Sequence, residues 1–224
     1  MIDAIVAPQI FGRNLHTMRF PGRAARAALT VLALLMAPAV VLADETTLTL
    51  EGGISATLNM PAHADPVPAV LMLHGFGSSK DEVGGMYARQ ARALADKGIA
   101  SLRIDFPGFG KSQGDTGATT VDQQLDTAKA ALDVLRKTDG VDPARTGVLG
   151  FSLGGGVATV LASNSPQAVK SLVTWSSVGD FQQDFLNSLG QKAFDRAKED
   201  GIVGLDLGWR TIALKQTFFD SLGK

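Results

Sequence analysis

Four short, predominantly apolar runs, at residues 67–73, 99–104, 146–151 and 169–175, constrain this chain more than any other feature. Runs of that length suit strands covered on both faces, since a solvated face would show alternating polar residues. Between them, apolar residues recur at helical spacing: Val83, Met86, Tyr87, Ala91 and Leu94, then Leu125, Ala128, Leu132 and Leu135. Ser79 with Glu82, and Thr120 with Gln123, stand where capping boxes would open those helices. Helices separating doubly covered strands require a parallel sheet with right-handed crossovers. Residues 46–50 and 54–60 instead alternate apolar and polar around Gly52-Gly53, a turn that needs positive φ angles, so an antiparallel β-hairpin enters the sheet. The expected class is α/β, with a mostly parallel sheet.

Composition removes several chemistries. The chain has 224 residues and no cysteine, which excludes thiolate zinc sites and a cysteine nucleophile. Its three histidines, His16, His63 and His74, leave little for a metal cluster, and a net charge of -1 gives no footprint for nucleic acid. Lys111-Ser112 after Gly110 resembles the end of a phosphate-binding loop, but Asp105 stands where that pattern needs glycine. A dinucleotide fingerprint starting at Gly108 fails in the same way at Gln113.

The N-terminus reads as a targeting segment. Arg13, Arg19, Arg23 and Arg26 precede an uncharged run of 17 residues, 27–43, that is short for a membrane span of about 20 apolar residues. Residues 1–43 are therefore expected to be a signal peptide cleaved after Ala43, with translation starting at Met1 or Met18 and the protein exported to the periplasm or secreted. The alternative is an uncleaved anchor. No stable membrane span is expected after cleavage.

The chemistry sits where the apolar runs end, the edge at which open α/β sheets place their ligands. Run 146–151 leads into Gly150-Phe151-Ser152-Leu153-Gly154, a G-x-S-x-G elbow directly before a helical pattern. Side chains at Gly150 or Gly154 would collide with neighbouring backbone in so cramped a turn, and Ser152 would be lifted above the sheet at a helix N-terminus. Taken alone, the same five residues also fit a glycine-rich turn with a capping serine. The run 67–73 leads into His74-Gly75-Phe76-Gly77, whose Phe76 N–H could pair with Leu153 N–H as an oxyanion hole. His74 precedes the serine and is expected to brace that loop. Run 99–104 leads into residues 105–112, a tight turn.

Taken in order, His74-Gly75-Phe76-Gly77, residues 105–112 and residues 150–155 resemble the α/β-hydrolase superfamily, most closely its serine-aminopeptidase-like and feruloyl-esterase-like branch, over residues 46–180. The resemblance implies a serine hydrolase without metal or organic cofactor. Ser152 would be the catalytic nucleophile, the N–H groups of Phe76 and Leu153 the oxyanion hole, and Gly150 and Gly154 the elbow. A small-molecule carboxylic ester is the implied substrate, a peptidase of the same fold is the alternative enzyme, and a non-catalytic binding module the alternative outside enzymology.

The chain departs from the family pattern after Ser152. No histidine follows it, and nothing beyond Trp175 resembles the last two strands. Residues 44–179 are thus expected to be the N-terminal part of the core, with 169–175 an apolar sheet edge open to aggregation. Residues 180–224 read as the start of a helical cap, with Phe181, Phe185 and Leu189 on one face and Leu205, Trp209 and Ile212 on another. Asp180 is an open candidate for the acid, though it has no histidine to orient. Losing a triad histidine costs on the order of a millionfold in turnover, so the chain is expected to be nearly inert, and to be the N-terminal portion of a longer protein. Phe181, Phe185 and Trp209 could meet an aryl ester. Nothing in the sequence fixes the oligomeric state.

Overall fold

The computed structural model describes residues 44–62, 65–208 and 210–223. Residues 1–43, expected to be a signal peptide and including His16, and the residues His63 and Trp209 lie outside the described residues.

Strands β1 (Asp44–Leu50) and β2 (Ile54–Met60) form the expected antiparallel hairpin, and both turn glycines have positive φ, 74° at Gly52 and 73° at Gly53. They are followed by β3 (Val67–Leu73), β4 (Ala100–Ile104), β5 (Val141–Phe151) and β6 (Ser171–Trp175). The sheet order is β1-β2-β4-β3-β5-β6, with β2 antiparallel to β4 and the last four strands mutually parallel.

Successive side chains of a strand face opposite ways, and β3 uses this to build two cores. Leu71 and Leu73 face the larger one, roofed by α2 (Val121–Lys137) and α3 (Leu153–Asn164) through Ala128, Leu132, Leu135, Val157 and Leu161. Met72 faces the other, where Tyr87 and Ala91 of α1 (Met86–Ala95) cover it together with Leu149. The Thr120 hydroxyl accepts the Gln123 N–H at 3.1 Å, opening α2 as its sequence signal requires.

Register decides what meets at the sheet's rim. Leu73 is level with both Ile104 and Gly150, and Phe151 is level with Trp175. The loops that follow β3, β4, β5 and β6 therefore emerge together.

Two expectations need correction. The Ser79–Glu82 box does not open α1: the helix begins at Met86, after Gly84 and Gly85, both with positive φ, and the Glu82 side chain turns elsewhere. Residues 202–206 and 211–215 are not helical. They form a second hairpin, β7 (Ile202–Asp206) and β8 (Thr211–Lys215), paired only with each other. Val203, Leu205, Ile212 and Leu214 are buried while Ile202, Gly204 and Asp206 are exposed, a period of two. The helical spacing of Leu205, Trp209 and Ile212 was coincidental, and it overlooked β-branched flanks around a turn at Gly208, whose φ is 82°.

The helical part of this region is α4 (Phe181–Leu189), α5 (Gln191–Asp200) and the short α6 (Gln216–Asp220). Phe76, Phe185 and Phe218 interlock, with ring centroids 5.1 Å apart for Phe76–Phe185 and for Phe185–Phe218. The hydroxyl of Ser221 accepts the Val121 N–H at 3.0 Å, docking the segment after α6 on the start of α2. Strand β6 is a sheet edge among the described residues, and its Val173 is 47% exposed. No helix among the described residues is long and apolar enough to cross a membrane.

Candidate active site

Ser152 occupies the junction of β5 and α3 with φ 52° and ψ -119°, a conformation that costs a non-glycine residue about 1–3 kcal/mol. The surroundings hold it there. Its N–H donates to Trp175 O at 3.0 Å, and its carbonyl accepts the N–H groups of Gly155 at 2.9 Å and Val178 at 3.0 Å. A Cβ on Gly150 would stand 2.2 Å from Gly154 O, and one on Gly154 would stand 2.2 Å from Leu73 O, so neither position admits a side chain. Leu153, the first residue of α3, is buried, and its N–H precedes the point where an intrahelical carbonyl becomes available.

The loop after β3 lies against this junction. A Cβ on Gly75 would be 3.2 Å from the Ser152 Cβ and 3.0 Å from the Phe151 ring. Ser152, Gly75 and Phe76 line one cavity of about 670 Å³, whose other walls include Phe185, Leu189 and Leu207, with Asp184 and Asp206 bringing carboxylates. The structure thus brings Ser152, Phe76, Leu153, Gly150 and Gly154 together. Among the described residues no acceptor takes the Phe76 N–H.

His74 points away from chemistry. Phe106 N–H donates to its Nε2 at 3.0 Å, so the ring proton sits on Nδ1 and donates to Gly75 O at 2.8 Å. Burial lowers its pKa below the usual histidine value, against the opposing pull of the Gly75 bond and of Glu82 and Asp105. It is a neutral brace. Because a peptide unit is planar, with C=O and N–H pointing opposite ways, anchoring Gly75 O to His74 directs Phe76 N–H away from the imidazole.

A second brace crosses to the loop after β4. Burial would raise the Asp105 carboxyl, but hydrogen bonds from Lys111 N–H, Lys80 N–H and the Lys80 ammonium, 3.1 Å away, hold it below the usual carboxylate range. A Cβ on Gly110 would collide with that carboxylate. Asp81, next in the loop, pairs with the buried Arg103 of β4.

Two sequence candidates play other parts. Asp180 accepts the Gln183 N–H at 2.8 Å and caps α4. Phe181 packs on the helix behind Ser152, within 2.7 Å of where a Gly156 Cβ would be, and of the aromatic candidates Phe185 alone among the described residues lines the cavity. Glu82 borders the same cavity and accepts the Gly75 N–H as well as the Val83 N–H, a placement that its capping pattern does not announce. Gly84-Gly85 was the available signal, since a glycine pair interrupts a helix start.

A family model described as alpha/beta hydrolase fold matches residues 68–212. The chain belongs to the α/β-hydrolase family. It is similar to an uncharacterized 31.7 kDa Escherichia coli protein of the traX-finO intergenic region, at 28% identity over 58% of this chain and 44% of that one. It is also similar to Esterase FrsA of an Enterobacter species, at 34% identity over 55% of this chain and 29% of that one. Among solved structures it resembles Est1E of Butyrivibrio proteoclasticus with ferulic acid bound, at 27% identity and a TM-score of 0.65, over 78% of this chain and 69% of that one. The matched stretch spans less than half the length of these two curated relatives. This α/β-hydrolase therefore has esterase-type kin, and its elbow and loops occupy one rim of the family's sheet.

Proposed function

We propose that this α/β-hydrolase is a serine hydrolase of carboxylic esters. Ser152 Oγ attacks the carbonyl carbon as a base takes its proton, the carbonyl oxygen becomes an oxyanion held by the N–H groups of Phe76 and Leu153, and collapse expels the alcohol, protonated by that same base, to leave an acyl-serine that water hydrolyses. The observation that carries this reading is the close approach of the Gly75 loop to Ser152, where not even a Cβ would fit, in one cavity and beside a Phe76 N–H that no acceptor among the described residues takes. Two backbone donors at a helix N-terminus favour developing negative charge, and each is worth about 3–4 kcal/mol in the transition state.

The proton acceptor is what this sequence does not supply. No histidine follows Ser152, and both ring nitrogens of His74 are committed. Turnover by the chain is thus expected to lie on the order of a millionfold below that of a complete triad. Added imidazole can enter the cavity and serve as the base. With an aryl ester such as p-nitrophenyl butyrate, the reading predicts a saturable, imidazole-stimulated rate that Ser152→Ala abolishes. A rate equal in the two proteins at every imidazole concentration would overturn it and favour a binding module.

The apolar wall of Phe76, Phe185, Leu189 and Leu207 suits an acyl or aryl group better than a peptide backbone, which brings polar groups that such a wall leaves unpaired. This favours an ester over an amide. Export and cleavage after Ala43 belong to the same proposal and rest on the basic and apolar pattern of residues 13–43.

A further inference from the structure

We propose that Glu82 is a positioning residue that sets the direction of the Phe76 N–H. The proposal rests on the ester-hydrolase reading of Ser152.

Phe76 N–H is carried by the peptide that begins at the Gly75 carbonyl. Gly75 has no side chain to restrict it, and none can be added, because Phe151 and Ser152 occupy the space. Its two soft dihedrals must therefore be fixed from outside. His74 holds the carbonyl end, and Glu82 holds the other end by accepting the Gly75 N–H. The Glu82 carboxylate also accepts the Ser78 hydroxyl at 2.8 Å and the Val83 N–H at 3.1 Å, which ties the whole loop 75–83 to one anion.

Two features argue that this carboxylate is retained for the loop. The first is its backbone, at φ 58° and ψ 179°, a combination that only glycine adopts freely. Glycine follows at 84 and 85, so a chain that needed only the bend would have had it at 82 without strain. The second is the donor set. Three donors converge on the side chain, and an ionised carboxylate, with acceptors alone, satisfies all of them. A glutamine would turn its own N–H groups toward at least one. Glu82 is buried and borders the same cavity as Ser152, where an unpaired charge would be costly.

The test measures the rate at which an alkyl fluorophosphonate labels Ser152 in imidazole buffer, fluoride leaving phosphorus as imidazole takes the serine proton, with the Phe76 and Leu153 amide signals followed by NMR in the labelled protein. In the wild-type chain both amides move downfield as they bond the phosphonyl oxygen. Glu82→Gly removes the anion and the strain together, so the fold by circular dichroism should persist while labelling slows about a hundredfold, the loss typical of one oxyanion donor. The Phe76 shift should vanish and the Leu153 shift remain. Labelling at the wild-type rate, or equal loss of both amide shifts, would overturn the positioning role. Should Glu82→Gly fail to fold, the near-isosteric Glu82→Gln decides on the same readings. A wild-type chain that forms no adduct removes the hydrolase reading and this proposal with it, whereas normal labelling of the Glu82 variants removes this proposal alone.

Discussion

Gly75 and Ser152 leave no room for a side chain between them: the position a Gly75 Cβ would take lies 3.2 Å from the Cβ of Ser152. Two loops far apart in the sequence are thereby brought close together at the sheet's rim. Gly75→Ala would force the loop outward against Phe151 and Ser152, and overpacking of this kind costs about 1–3 kcal/mol. We expect a folded variant whose Ser152 reacts more slowly with a fluorophosphonate in the same imidazole buffer. A variant that labels as fast as wild type would mean the close approach does not bear on the serine.

Gly154→Ala tests the elbow itself. The new methyl would sit 2.2 Å from Leu73 O and 2.5 Å from His74 O, both main-chain atoms that cannot yield cheaply. We expect a loss of about 3 kcal/mol or more, which for a chain of this size lowers the melting temperature by roughly 6–12 °C. Thermal unfolding followed by circular dichroism measures it.

His74 gives a pH signature. Burial lowers its folded pKa below the unfolded value near 6.5, so between those two values the unfolded chain binds more protons than the folded one. Stability from this group is therefore complete above the unfolded value and declines as the pH falls through it. The slope cannot exceed about 1.4 kcal/mol per pH unit for one proton. Urea midpoints between pH 8 and 5 should show that decline in wild type and lose it in a folded His74→Gln variant; an unchanged decline in the variant would contradict the assignment.

Phe218 links the C-terminal segment to the candidate oxyanion loop, since its ring lies 5.5 Å from that of Phe76 and is fully buried. Phe218→Ala should cost about 3–5 kcal/mol by urea denaturation. It should also slow the labelling of Ser152, because Phe76 loses a wall. Loss of stability without any change in labelling would separate the two.

The core was legible because its parallel strands lie in largely apolar runs, and the glycines flanking Ser152 declared a turn that nothing larger fits. What stayed hidden were features that depend on distant partners. Glu82 satisfies a local capping pattern, yet the donors that claim it include Gly75 N–H, whose position is set only when β3 lies beside β4 and β5. Leu205 and Ile212 fit a helical period as well as a strand period, and burial against the rest of the chain selected the second. Asp180 carried the right chemistry for an acid but was taken by the nearer N–H of Gln183.

The most direct measurement is a peptide map of the chain after treatment with an alkyl fluorophosphonate in imidazole buffer, the imidazole supplying the base that the sequence lacks. The account predicts a single phosphonyl adduct, on Ser152, that is absent from Ser152→Ala. An adduct confined to another residue, or none on the folded protein, would contradict it.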